Sequence, residues 1–256
     1  MTDALRAEWT KLRTLTSTGW LLVGTIALTV AVSAGIAAAT HLTAESGQDP
    51  TKLALSGIDL GQAIVAVLAV LTISEEYGTG MIRVTIAAMP RRLVLLAAKS
   101  TNVAGLTLFA GLVAVAGCLL AGRIMLPGDG LNPAHGYALV SIMHGATLRA
   151  AVGSVLYLVL ITLLSLGMAT AIRDTAVSIG VVLGLLYLPL ILAQAVADPL
   201  RRLILQISPM PAGLAIQATA NLRSLPIAPW TGLGVLAAWA VASLLIGGLL
   251  LRLRDA

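Results

Sequence analysis

Between Lys99 and Arg123 the chain reads STNVAGLTLFAGLVAVAGCLLAG (100–122), a run without a single charge. A helix rises about 1.5 Å per residue, so this run is long enough to cross a hydrocarbon core of roughly 30 Å. Five further stretches of this kind lie on either side of it, at 20–40, 53–73, 150–172, 176–197 and 230–251. The second is the poorest, because its apolar part from Leu60 to Ile73 gains full length only by including Asp59 and Gln62. The first has an apolar core longer than the roughly 7–15 residues of a signal peptide and reads as a span. Composition points the same way. Hydrophobic residues make up 58% of the 256 residues and charged residues 11%, with a mean hydropathy of +0.97. Soluble domains carry about 45–50% and about 25% respectively. So few charges cannot cover so much apolar surface in water, which excludes a soluble enzyme, a disordered tail and a nucleic-acid-binding domain. The expected fold is an all-α polytopic membrane domain spanning 1–256.

The net charge of +5 reports topology before it reports a partner. With the N-terminus inside, Arg6, Lys11, Arg13, Arg83, Arg91, Arg92, Lys99, Arg173, Arg252 and Arg254 fall on the cytoplasmic side. Lys52, Arg123, Arg149, Arg201, Arg202 and Arg223 fall outside. Ten against six places both termini in the cytoplasm. The short Arg173-Asp174 link makes the fourth and fifth spans an antiparallel pair. One cysteine, Cys118, allows neither an intrachain disulfide nor a cysteine metal cluster.

Two polar stretches carry a pattern. In 1–19, Leu5, Trp9 and Leu12 recur at helical spacing with Arg6, Lys11 and Arg13 between them, and Asp3 is placed to cap. This predicts a helix lying in the cytoplasmic interface. The segment 198–229 holds Pro199, Pro209, Pro211, Pro226 and Pro229 around an apolar run at 203–207. A re-entrant or surface-lying helical pair is expected there, since irregular backbone at membrane depth needs shielding by protein.

The chain lacks the marks of self-powered chemistry. No lysine stands in a phosphate-cradling Gly-Lys-Ser/Thr sequence. His41, His135 and His144 fall in outer segments, none stands in a His-Glu-x-x-His sequence, His135 and His144 have no neighbouring carboxylates, and all three read as solvated loop residues, not as metal ligands. No carboxylate occupies the middle of a span, although ion-coupled transporters bury such groups there. Transport by this chain would therefore need energy from a partner.

The connection between the second and third spans is the most informative. Glu75 and Glu76 follow the second span, and Gly78 and Gly80 permit a sharp turn. A short amphipathic helix is then expected to run to Ala88. Pro90 ends it, because the residue before a proline avoids the helical region. Arg91, Arg92 and Lys99 mark the start of the third span. The result is a helical knuckle projecting into the cytoplasm.

Glu76-Tyr77-x-x-Gly80-x-Ile82-Arg83, followed by Ile86, Pro90-x-Arg92 and Lys99, resembles the signature of ABC-2 type permeases, the type V exporter fold, in their actinobacterial branch. Glu8-Trp9-Thr10-Lys11-Leu12-Arg13, Pro209-x-x-Ala212-Gly213 and the closing Arg252-x-Arg254-Asp255-Ala256 resemble further elements of that branch in the same order. Met81 departs from the pattern, which usually has Thr, and Ser208 replaces the usual Leu.

The resemblance implies six spans that pair with a second permease copy or paralogue. It makes the N-terminal helix an elbow and the knuckle a coupling helix docked on separate ATP-binding subunits, two per complex. ATP and Mg²⁺ would be held by those subunits, leaving this chain without a catalytic site or cofactor. The bacterial cytoplasmic membrane is the implied location. Glu75, Glu76, Tyr77, Gly80, Arg83, Pro90, Arg92 and Lys99 would form the coupling region, with Glu75, Glu76 and Arg83 orienting the knuckle and pairing with the ATPase surface. Pro209, Ala212 and Gly213 would shape the outer re-entrant element.

In the fifth span Gly180 and Gly184 form a small-xxx-small pattern, for a dimer seam or for intrachain packing. Pro189 is expected to kink that span. Gln62, Tyr187 and Gln194 are polar groups that face a translocation path or bond between helices. The apolar spans suit an amphipathic drug, peptide or lipid. Two other classes stay open: a non-transporting scaffold or immunity protein, and a secondary transporter.

Overall fold

The structure, a computed structural model, describes residues 5–6, 9–10, 16–39, 49–78, 81, 92–125 and 145–253. Its helices are α1 (Thr16–Ala39), α2 (Pro50–Ala54), α3 (Ile58–Gly78), α4 (Arg92–Met125), α5 (Gly145–Ile172), α6 (Thr175–Ala195), α7 (Leu200–Ile207), α8 (Pro209–Leu214) and α9 (Pro229–Leu253). Two 3₁₀ turns, Ala215–Gln217 and Leu222–Ser224, lie between α8 and α9. Among the described residues there is no β-strand. Six helices, α1, α3, α4, α5, α6 and α9, are long and apolar enough to cross a membrane. The chain is an all-helical, multi-pass membrane protein.

The helices alternate in direction, and their contacts define two ends. At one end Lys99 of α4 meets Glu76 of α3, and Arg92 and Arg173 reach the last turn of α9. At the other end Arg149 of α5 meets Ala218, and Asp49 meets Thr219. These are called below the Lys99 end and the Asp49 end. The most enclosed helix is α5, which packs on α9, α3 and α4, while α1 lies against α4 and α3 and α6 lies against α3. The 34 residues of α4 are about 51 Å long, well beyond a hydrocarbon core of roughly 30 Å. Part of it therefore extends past that core, and Lys99 lies two turns in from its first residue.

Closest approach occurs between α5 and α9. A Cβ on Gly167 would lie 2.5 Å from the backbone carbon of Ser243, and one on Gly247 would lie 2.6 Å from the Gly167 carbonyl oxygen. Ser243 and Gly247 form the small-xxx-small pair of α9. By contrast, no described residue lies within 4 Å of a Cβ on Gly180 or Gly184. Among the described residues the close seam uses a different helix pair.

Several boundaries differ from those read in the sequence. The second span begins at Ile58, not at residue 53, and runs on to Gly78. Residues Pro50–Ala54 form the separate helix α2, because Asp49 caps it by accepting from the Thr51 and Lys52 amides, and a turn at 55–57 interrupts the backbone. The Pro at N1 lacks an N–H that the first turn would leave unused anyway. The fourth and fifth spans are joined by two residues, as the link length suggested. Arg173 has φ 67° and its amide donates to the Ala169 carbonyl, closing α5 with a left-handed residue. Asp174 then caps α6 by accepting from the Val177 amide at 2.8 Å. The α6 helix continues through Pro189 without a break from Thr175 to Ala195.

The 198–229 segment is half surface and half insertion. Along α7 the apolar Leu200, Leu203 and Ile207 are exposed beside Arg201 and Arg202. Trp239 pins its end by donating from Nε1 to the Ile207 carbonyl at 2.9 Å. From Pro209 the chain turns inward, and Pro209, Met210, Ala212, Gly213 and Ile216 are buried. Ile216 packs on the bare backbone of Gly153, and Gly213 lies against the Tyr157 ring.

Near the N-terminus, Leu5, Arg6, Trp9 and Thr10 are helical, and Thr10 Oγ1 donates to the Arg6 carbonyl four residues back at 2.9 Å. Asn102 Nδ2 donates to the Leu5 carbonyl at 3.0 Å, which ties this segment to α4. Trp9 is exposed. Lys11, Leu12 and Arg13 lie outside the described residues, as do Gly80, Arg83, Pro90, the helix expected up to Ala88, the three histidines and Arg254.

Candidate functional site at the two ends of the bundle

The Lys99 end gathers motif residues from distant parts of the sequence. The Lys99 ammonium lies 2.9 Å from Glu76 Oε1 and donates to the Thr72 carbonyl at 3.2 Å. Lys99 is 0% and Glu76 2% exposed, so the pair is withdrawn from solvent within the chain itself. Burial of two opposite charges is tolerated because each finds its counter-charge, and Lys99 gains the Thr72 carbonyl as well. This position bears on the role expected for Glu76. Its carboxylate points into the bundle, so it braces α3 against α4 and is not presented on the surface to a partner. Glu75, one residue earlier and on another face of the helix, is exposed.

Beside this pair, the Arg173 guanidinium stands 5.4 Å from the Tyr77 ring centroid, a cation–π distance. Arg173 Nη2 also donates to the Leu250 carbonyl at 3.4 Å, and Arg92 Nη1 donates to the Leu251 carbonyl at 2.8 Å. A helix leaves its last four carbonyls unsatisfied and slightly negative. Two guanidiniums, one from α4 and one from the α5–α6 link, therefore cap the end of α9. Glu76, Tyr77, Arg92 and Lys99 thus belong to one interlocked cluster with Arg173, from which residues 79–91 depart. Arg173 was missed as a member. In the sequence it is simply a charge in a short link, and only its left-handed conformation turns it back over Tyr77.

The polar groups within the spans bond to one another. Tyr157, wholly buried on α5, donates its hydroxyl to Gln62 Oε1 on α3. Gln62 Nε2 donates to the Asp59 carbonyl at 3.0 Å, and the Tyr187 hydroxyl donates to the same oxygen at 2.5 Å. Gln62 and Tyr187 therefore tie α3 to α5 and α6. Gln194 is exposed near the end of α6, away from this cluster.

At the Asp49 end, one carboxylate organises residues about two-thirds of the chain apart. Asp49 accepts from the Thr51 and Lys52 amides of its own helix at 3.1 and 3.2 Å. It also accepts from the Thr219 amide, from Thr219 Oγ1 at 2.6 Å and from the Ala220 amide at 2.8 Å. The Asp-Pro pair signals a helix start, but nothing in the sequence announces Thr219 as its second client. Asp49→Ala should free the 218–220 turn, since bonds to a charged acceptor are worth about 1.5–3 kcal/mol. Amide exchange at Thr219 and Ala220 is expected to rise on the order of 10- to 100-fold. Unchanged protection measured by hydrogen–deuterium exchange would contradict the clamp.

Next to this clamp lies a cleft of about 630 Å³ lined by residues of α2, α3, α6, α7, α8 and the 215–227 segment. Among the described residues no cluster of His, Cys, Asp and Glu is arranged to hold a metal ion. No protein-family model and no curated protein matches the chain.

Proposed function

We propose that the chain is the membrane-spanning subunit of an ATP-driven exporter of the ABC-2 permease type, moving an amphipathic or lipophilic substrate across a bacterial cytoplasmic membrane. In this reading the Lys99 end faces the cytoplasm, the Asp49 end faces outward, and residues 79–91 form the coupling helix seated on a separate ATP-binding subunit. The observation that supports it most is the cluster of Glu76, Tyr77, Arg92, Lys99 and Arg173, which joins the end of α3 to the start of α4, the two helix ends that flank residues 79–91 in the sequence. A force applied to 79–91 is delivered at once to α3, α4, α9 and the α5–α6 link, because ion pairs and caps join all of them there. ATP hydrolysis on the partner could then tilt these helices as a unit. The open, unfilled face at Gly180 and Gly184 on α6 suits contact with a second permease.

The deciding experiment is reconstitution of the chain with its co-purifying ATPase and measurement of turnover against a panel of lipophilic compounds. Stimulation of ATP hydrolysis by at least one compound is expected. Arg83→Glu should lower that stimulation on the order of 5- to 150-fold, the range of a coupling free energy of about 1–3 kcal/mol. A chain that purifies alone and leaves ATPase turnover unaffected would refute the reading.

A further inference from the structure

The cleft at the Asp49 end has a chemistry of its own. Its volume of about 630 Å³ falls within the roughly 300–1,000 Å³ typical of small-molecule sites. Leu190 of α6, Leu205 of α7 and Met210 and Leu214 of α8 supply apolar walls. Three charged side chains line it: Asp49, Lys52 and Asp59. They are not equivalent. The Asp49 carboxylate is already occupied by five donors. Lys52 is exposed, so water screens its ammonium. Asp59 is partly buried at the start of α3, and its carboxylate takes no hydrogen bond or ion pair from any described residue. Its backbone is satisfied separately: the carbonyl accepts from Gln62 and Tyr187, and the amide donates to the Ser56 carbonyl.

From this geometry we infer that the cleft binds a lipophilic monovalent cation, with its charge against Asp59 and its apolar body against Leu190, Leu205, Met210 and Leu214. A carboxylate partly withdrawn from water gains most from an opposite charge, because the local dielectric is low. An anion would have to stay at Lys52, in solvent, and would meet repulsion from Asp59 if it went deeper. Met210 lets one wall adapt to ligands of different shape. The inference needs no ATP-binding partner, so its fate and that of the proposed function are separable.

The test uses the full chain in a maltoside detergent, which contributes no ammonium group. Tetraphenylphosphonium is titrated by calorimetry against tetraphenylborate, an anion of nearly the same size and shape. The phosphonium is expected to bind and the borate to bind at least tenfold more weakly. Asp59→Asn should weaken phosphonium binding at least tenfold while leaving the fold intact, because no described residue is hydrogen-bonded to the carboxylate. Lys52→Met should strengthen it. Leu190→Trp, which fills the cleft from a different helix, should abolish it. Competition by stearylamine, a lipid amine with one positive charge and no phosphate, would identify the cation as a lipid ammonium, and lack of competition would identify it as a free amphiphile. Equal binding of the two probe ions, or phosphonium binding unchanged by both Asp59→Asn and Leu190→Trp, would overturn the inference.

Discussion

Lys99→Met is expected to destabilise the protein by about 3–5 kcal/mol, because it removes one member of a buried ion pair. Glu76 is 2% exposed, so its carboxylate cannot turn to water without opening the α3–α4 contact. Lys99 is also bound to the Thr72 carbonyl, and that acceptor would lose its donor. The double variant Glu76→Gln with Lys99→Met should recover much of the loss, since replacing both charges of a buried pair by neutral groups is often close to neutral. Thermal unfolding of the purified single and double variants reads this directly. If Lys99→Met melts with the parent protein, the pair does not hold this end of the bundle. The same variant set bears on coupling. A double variant that is stable yet loses compound-stimulated ATPase activity would separate the pair's role in force transmission from its role in folding.

Gly167→Val should be the most damaging single change at the α5–α9 seam. The new Cβ would meet the Ser243 carbon at 2.5 Å and the Leu244 nitrogen at 2.6 Å. Both are backbone atoms, so no side-chain rotation relieves the clash and the helices must separate. Overpacking of this kind costs about 1–3 kcal/mol, and more where backbone has to move. Because α5 is also the helix that carries Tyr157 to Gln62, separation at Gly167 should loosen that hydrogen bond too. Gly180→Ala and Gly184→Ala are the internal comparison. Nothing lies within 4 Å of either added Cβ, and alanine favours helix over glycine by about 1 kcal/mol. These two variants should melt no lower than the parent. A Gly167→Val protein that melts with them would show that the seam is looser than its geometry indicates.

Much of the architecture was legible in the sequence because apolar length and charge position are local properties. The charge-free run at 100–122, flanked by Lys99 and Arg123, fell within a single helix. The Arg173-Asp174 link did join two adjacent spans. The second span was misplaced at its start for a specific reason. Hydropathy averages over the turn at 55–57, whereas the Asp49 cap makes Pro50–Ala54 a helix of its own. The 198–229 segment was expected as a re-entrant or surface-lying helical pair, and its prolines mark where one behaviour gives way to the other. Ser208 and Pro209 separate the exposed α7 from the buried α8.

Side-chain partnership was far less visible. Glu76 and Lys99 could be marked as members of one motif, but whether they faced outward or each other depends on how α3 and α4 rotate about their axes. Gln62 and Tyr187 were open to two readings, and the packing of α3 against α5 and α6 resolved them into interhelical bonds. Gly180 and Gly184 showed the spacing of a close helix contact, yet the contact within the chain formed at Gly167 and Gly247.

The residue order alone specified that this protein is helical, how many apolar crossings it has, and which stretches of the chain lie at the centre of each long helix. Those follow from hydrogen bonding along the backbone and from the cost of exposing apolar surface, which act between near neighbours. The tertiary structure alone decided which charges were withdrawn into pairs, which glycines were covered, and that Asp49 would hold Thr219. Those depend on the rotation and spacing of helices, set by the packing of every side chain at once. The cleft beside Asp59 is of the second kind, since its walls come from parts of the chain that only folding brings together.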